Sequence, residues 1–195
     1  TLVEIAVQKA LDSKIFEKVI ISSDSQEIIN KAKNKGALSY GLREPELSND
    51  FARTEDVIKQ LLRKDELSEI NGFTLIQCTS PYTTIKTIRN VTFQAFQEKS
   101  SSITVRKLDH TYLEGLLIKE GDFLKSVASK SNKLNIRSQD ATKVFSPSGN
   151  AYAANKDYFL KYNSLVGPFS LPYLINTSHE LIDIDQRKDF EYAKE

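Results

Sequence analysis

The sequence predicts an α/β domain on a mostly parallel sheet, and three observations carry that prediction. Residues 18–42 read strand, helix, glycine, strand in a short span. That order is a βαβ unit, whose crossover is right-handed and whose strands are parallel. Phe73 to Ile76 is an apolar run of strand length that stops in Gln77-Cys78-Thr79-Ser80-Pro81 and then gives way to a helical pattern. The 195 residues suit a single domain, 1–195, with one sizeable excursion.

The elements follow in order. Leu2, Val3, Ala6, Ala10 and Leu11 form an apolar helical face that Asp12-Ser13 ends. A chain that enters a helix at Thr1, with no methionine anywhere, is expected to lack a natural N-terminal piece. Residues 18–24 place Val19, Ile20 and Ile21 together as a buried strand. Asp24 or Ser25 caps a helix over 26–35 with Ile28, Ile29 and Ala32 inward, and Gly36 takes its C′ position. Residues 37–42 form a second short strand. The polar loop 42–54 is long enough to suggest a function, and it leads into a helix over 55–63. After the turn pair Asn71-Gly72, residues 73–76 form the next strand. Pro81 fixes its own φ and biases Ser80 away from the helical region, so the chain turns there. Thr83 or Thr84 then caps a helix through Ile85, Ile88 and Val91 to Phe96. Ile103-Thr104-Val105 is another strand, running out at Lys107-Leu108-Asp109-His110.

Residues 111–141 change character and read as an excursion, either a lid or an oligomer arm. Within it, 113–127 has the pattern of a hairpin turning at Gly121-Asp122, and 129–138 is polar and basic. The chain returns to the sheet over 145–154, then forms a short helix through Tyr158 and Leu160. Gly167-Pro168 and Pro172 mark a loop before a strand at 173–175. Residues 181–185 read as a last strand, and 186–194 as a helix with Phe190 and Ala193 inward and Asp189 in solvent.

Composition narrows the class. The 27 basic and 26 acidic residues leave a net charge of only +1, which argues against nucleic-acid binding driven by net charge and leaves a local basic pocket open. One cysteine, Cys78, rules out an intrachain disulfide and fits a reducing cytoplasm. No apolar run reaches the roughly 20 residues that cross a bilayer. His110 and His179 are far apart and have no zinc spacing, and no serine-hydrolase, zincin or P-loop motif occurs.

Three places could carry chemistry. Asp183 and Asp185, alternating with Ile182 and Ile184, leave an extended chain on one face. They form either a solvated edge or a pair that a Mg²⁺ ion relieves of its repulsion. Arg43 and Arg53 flank the long loop with Thr54 beside a helix start, which suits a phosphate or carboxylate as well as it suits surface ion pairs. The stretch 75–84 is either an ordinary strand-to-helix loop or a ligand site of the kind open α/β sheets place at strand ends.

In order, Val19-Ile-Ile-Ser-Ser-Asp24, Gly36-Ala37, Leu42-Arg43-x-x-Glu46-Leu47, Asp50-x-Ala52-x-Thr54-x-Asp56-Val57, Gln77-x-Thr79-Ser80-Pro81, Asp109-His110, Gly149-x-x-Tyr152 and Asp183-Ile-Asp185 resemble the acylneuraminate cytidylyltransferases, the CMP-sialic acid synthetase family. The ordered set covers nearly the whole chain. The resemblance implies a three-layer, Rossmann-like sheet of the nucleotide-diphospho-sugar-transferase kind. It also implies a Mg²⁺-dependent reaction of CTP with a sialic-acid-like nonulosonic acid, giving a CMP-sugar and pyrophosphate. By the same resemblance Asp183 and Asp185 are catalytic and hold the metal, and Arg43 and Thr54 face the nucleotide. Gln77, Thr79, Ser80 and Tyr152 contact the sugar acid, and residues 111–141 form the arm of a cytoplasmic homodimer.

The chain departs from that pattern in three places. The family opens with a strand and a basic, glycine-containing triphosphate loop, and this chain starts after it. A sugar-binding lysine falls at Glu114, and an aromatic pair falls at Val166-Gly167. Sialic, legionaminic, pseudaminic and 3-deoxy-manno-octulosonic acids therefore stay open as substrates, as does a catalytically impaired member that only binds.

Overall fold

The helices begin where the sequence caps them. In the computed structural model, which describes residues 1–112, 116–127 and 142–193, they are α1 (Leu2–Asp12), α2 (Gln26–Asn34), α3 (Thr54–Leu62), α4 (Ile85–Gln97), α5 (Lys156–Tyr162) and α6 (Arg187–Tyr192). The Ser25 hydroxyl accepts from the Ile28 N–H, Thr84 from Thr87, and Asn155 from both Asp157 and Tyr158. Each supplies an acceptor to an amide that the first helical turn leaves without one.

The strands are β1 (Gly72–Ile76), β2 (Ser101–Tyr112), β3 (Leu117–Glu120), β4 (Phe123–Ser126), β5 (Lys143–Asn155) and β6 (Leu171–Leu174). Four of them form one sheet in the order β1-β5-β2-β6. β2 and β6 are parallel, and β5 runs against both β1 and β2. Three strands thus share a direction and β5 opposes them, as a strand returning directly from an excursion must. β3 and β4 pair separately as the predicted hairpin around Gly121-Asp122. Residues 113–115 and 128–141, which include Glu114 and the stretch 129–138, lie outside the described residues, as do the side chains of Asp109 and His110.

Alternation along β5 builds three layers. Ala151 and Ala153 lie under α4, packed with Val91 and Ala95. Ala154 faces the other way, onto Phe159 of α5, Ile58 of α3 and Leu165, with Tyr152 against the same cluster. Alanines at these points let helices approach the sheet closely on both faces. Gly72 serves the same end: a Cβ there would stand 2.4 Å from the Ala154 carbonyl oxygen. α1 and α2 close a further cluster of Val3, Val7, Ala32 and Ala37, against which Val19, Ile21 and Cys78 pack.

Three expected strands are corrected. Residues 18–24 and 37–42 meet only in one parallel bridge, Ile20↔Leu38. The Ile21 and Leu38 amides are satisfied by Leu38 and Val19 carbonyls, and among the described residues no further strand extends the ladder. Residues 181–185 are not a strand either. A 3₁₀ turn, His179–Leu181, precedes an extended segment tied to the sheet end by Ile184 N–H donating to the Thr79 carbonyl at 2.8 Å. Period-two alternation there marks an extended chain, and it does not require a ladder. Asp189 is likewise no idle helix residue, because its carboxylate accepts from the Gln186 N–H at 2.8 Å and caps α6. Among the described residues no helix is long and apolar enough to cross a membrane.

Phe159 is fully buried and meets Phe73 edge to face at 5.0 Å between ring centroids. Phe159→Ala is expected to lower unfolding free energy by about 3–5 kcal/mol, read as a reduced urea midpoint with little change in slope.

Candidate functional site

The site starts from an irregularity in β5. Ile103 pairs with Tyr152 and Val105 with Pro147, so residues 148–151 of β5 stand opposite Thr104 alone. The fully buried Thr104 hydroxyl spans the gap, accepting from the Ala151 N–H at 3.1 Å and donating to the Ala151 carbonyl at 3.2 Å. The surplus chain, Ser148-Gly149-Asn150, is thereby displaced toward the end of β1, where the Gln77 N–H donates to the Asn150 carbonyl at 3.3 Å. Such bulges re-aim side chains at sheet ends.

Asn150, wholly buried, uses its side-chain amide on three elements. It donates to the Thr83 hydroxyl at 3.0 Å and to the Glu180 carbonyl at 2.7 Å, and accepts from Ser148 at 2.7 Å. The buried Glu180 carboxylate in turn accepts the Thr84 N–H at 2.8 Å, where α4 begins. Lys9 of α1 donates its ammonium to the Pro81 carbonyl. The turn after β1 is thus held from three sides.

These ties bring Asp183 over the bulge. Its Oδ1 accepts from the Ser80 hydroxyl at 3.2 Å, and a Cβ at Gly149 would lie 3.2 Å from its Oδ2. Gly149 has φ +82°, so position 149 needs glycine for its backbone and again for clearance of the carboxylate. A cavity of about 360 Å³ opens there, lined among others by Gln77, Arg106, Ser148, Tyr152, Asp183 and Asp185. Burial pushes the Tyr152 phenol above the ordinary tyrosine range, and the Asp183 charge adds to the shift. The phenol therefore stays a hydrogen-bond donor through neutral pH.

Four of the residues expected from sequence meet in this cavity: Gln77, Tyr152, Asp183 and Asp185. Ser80 is buried and directs its hydroxyl to Asp183, and Thr79 contributes through its carbonyl to Ile184. Arg43 and Thr54 do not line it. Arg43 donates to Ser48 at 3.2 Å and stands 3.8 Å from Asp24, and Thr54 is an exposed first residue of α3. Arg53 precedes α3 and faces Glu55 at 3.7 Å. His179 stacks on Tyr82, and Cys78 packs into the α1–α2 cluster, where burial raises its thiol pKa.

Sequence reasoning did not single out Arg106, Ser148, Asn150 or Glu180. Arg106 follows the strand pattern Ile103-Thr104-Val105 as a polar residue at a strand end, a signal that was present. The buried roles of Asn150 and Glu180 depend on contacts 30 to 96 residues away and leave no local mark.

Asp183 and Asp185 present only oxygen donors, the chemistry of a hard cation. Among the described residues no group of three or more His, Cys, Asp or Glu gathers. The two carboxylates could hold a Mg²⁺ ion, a cation that completes its coordination with waters and phosphate oxygens.

Known proteins resemble this chain in sequence and in fold. The sequence profile of the family described as Cytidylyltransferase matches residues 1–195. The chain is 27% identical to an N-acylneuraminate cytidylyltransferase of Escherichia coli, covering 98% of this chain and 45% of that one. It is 25% identical to a pseudaminic acid cytidylyltransferase of Campylobacter jejuni, covering 99% of this chain and 83% of that one. The chain thus spans about half the length of the first of these relatives. Its fold matches CMP:2-keto-3-deoxy-manno-octonic acid synthetase complexed with CTP, with a TM-score of 0.62 at 11% identity over 99% of this chain and 86% of that one.

Two outcomes test the construction. Asn150→Ala leaves the Glu180 carbonyl and Thr83 hydroxyl buried without that partner, and is expected to cost about 2–3 kcal/mol in denaturant unfolding. In the folded protein Tyr152 is expected to titrate above the usual tyrosine value. Because that folded value is raised, its contribution to stability is complete below the unfolded value and is lost as pH rises through the folded one. Asp183→Asn should lower the Tyr152 value only part way, since burial remains, as read by tyrosinate absorbance against a Tyr152→Phe blank.

Proposed function

The chain belongs to the cytidylyltransferase family, and from that premise we propose that the protein activates a sialic-acid-like nonulosonic acid with CTP, releasing pyrophosphate. The observation that carries the reading is the single cavity in which Asp183 and Asp185 face Gln77, Tyr152 and Arg106. Paired carboxylates for a metal and neutral donors for sugar hydroxyls are what joining a nucleotide to a sugar acid requires.

In the proposed reaction the anomeric hydroxyl of the sugar attacks the α-phosphorus of CTP in line. A new O–P bond forms, the bond from the α-phosphorus to the bridging oxygen breaks, pyrophosphate leaves with that electron pair, and the hydroxyl proton passes to solvent. Asp183 and Asp185 would hold Mg²⁺, which when bound neutralises developing charge on the phosphates. Ser80 keeps Asp183 in one orientation, making it a positioning residue here. Gln77 and the neutral Tyr152 phenol orient the sugar, with the Thr79 turn behind them, and the loop bearing Arg43 and Thr54 faces the nucleotide.

The two curated relatives act on different acids at nearly equal identity, which supports the class of substrate above either member. We further infer a homodimer through the 111–141 arm, for which the exposed Leu117, Ile118, Phe123 and Leu124 of the hairpin supply apolar surface. A cytoplasmic location fits a single cysteine whose thiol is partly buried.

Pyrophosphate release is expected only when CTP, Mg²⁺ and a nonulosonic acid are all present, and chelation should abolish it. Asp183→Ala and Asp185→Ala are each expected to lower turnover by about 100-fold or more. Unchanged turnover in the double variant would overturn the metal assignment. Sialic, legionaminic, pseudaminic and 3-deoxy-manno-octulosonic acids assayed side by side identify the sugar by kcat/KM.

A further inference from the structure

We propose that Arg106 recognises the carboxylate of the sugar acid and so restricts the cavity to acidic sugars; this rests on the cytidylyltransferase reading above. Arg106 is exposed on β2, opposite Ser146 of β5, and is the one cation among the described residues that line the cavity. Its guanidinium has no hydrogen-bond or ion-pair partner among the described residues. The same cavity carries Asp183 and Asp185, which repel an anionic sugar unless a fixed positive group meets it.

Position separates Arg106 from the acidic pair. In the order β1-β5-β2, Gln77 extends from β1 and Arg106 sits on β2, so the two flank the β5 bulge over which Asp183 hangs. An anion at Arg106 is therefore held on the β2 side of the bulge, while Asp183 is anchored to Ser80 of the turn after β1. In a 2-keto-sugar acid the carboxylate and the anomeric hydroxyl share one carbon. Fixing the carboxylate thus also limits where the attacking oxygen can stand.

The neighbours select among anions. Gln77, Ser148 and Tyr152 are neutral groups suited to hydroxyls. A triphosphate gathers several cations or a nest of N–H groups, whereas one planar guanidinium matches one planar carboxylate with two parallel hydrogen bonds.

The test compares N-acetylneuraminic and pseudaminic acids with their methyl esters, and CTP separately, by titration calorimetry on the protein and on Arg106→Ala and Arg106→Lys. The unaltered protein is expected to bind at least one acid about 10–100-fold more tightly than its ester. Arg106→Ala should erase that ratio and raise the KM for the acid by a similar factor, with CTP affinity within about twofold. Arg106→Lys should recover part of the ratio, because it restores charge without the fork. An acid-to-ester ratio that survives in Arg106→Ala overturns the assignment, as does a loss confined to CTP, which would make Arg106 a triphosphate contact. Unaltered protein that binds CTP but none of the acids overturns the substrate reading, and the role of Arg106 falls with it.

Discussion

One buried amide holds the active end of this domain together. The Asn150 side chain joins the β5 bulge, the turn before α4 and the 3₁₀ turn before Asp183 through three hydrogen bonds of 2.7 to 3.0 Å. A polar group with no exposure is tolerated in a core only when it is satisfied, and a satisfied one admits few alternative arrangements. The three segments it joins lie far apart in sequence, yet these hydrogen bonds fix them relative to each other.

That arrangement explains why the site sits where it does. Ala151, Ala153 and Ala154 bring helices against both faces of β5, so the strand cannot slide to absorb its surplus residues. The surplus is expelled toward the end of β1, where the Gln77 N–H meets the Asn150 carbonyl. Thr104 makes the expulsion affordable, since its hydroxyl replaces the ladder bonds that the bulge removes. The side chains of the candidate site then hang from a rigid sheet end, and the carboxylate of Asp183 is oriented by the Ser80 hydroxyl.

The helices were largely legible in the sequence because caps and 3.6-residue periodicity are local signals: Ser25, Thr84 and Asn155 start helices where they stand. The hairpin around Gly121 was legible for the same reason. The segments around Ile20 and Leu38 misled, because β-branched residues record burial and extended backbone but not whether a ladder continues. Residues 181–185 misled in the same way. At the site, Asp183 and Asp185 showed in their alternation with Ile182 and Ile184, while Gln77 and Tyr152 were legible only through the ordered motifs of the family resemblance. Asn150 and Glu180 were not legible, because their partners are set by topology. Arg43 and Thr54, grouped with the site by motif order, lie on a loop outside the cavity lining.

Cys78 stands directly after Gln77, yet its thiol points into the cluster of Val3, Val7, Ala32 and Ala37, and burial keeps it protonated. A thiolate is a far stronger nucleophile than a sugar hydroxyl. Placed on the cavity side, it would be a second nucleophile beside the candidate site. The one-residue alternation at the end of β1 turns the amide of Gln77 to the cavity and the sulfur to the core. The domain thereby keeps its one sulfur nucleophile away from the candidate site, packed partly buried against the α1–α2 cluster.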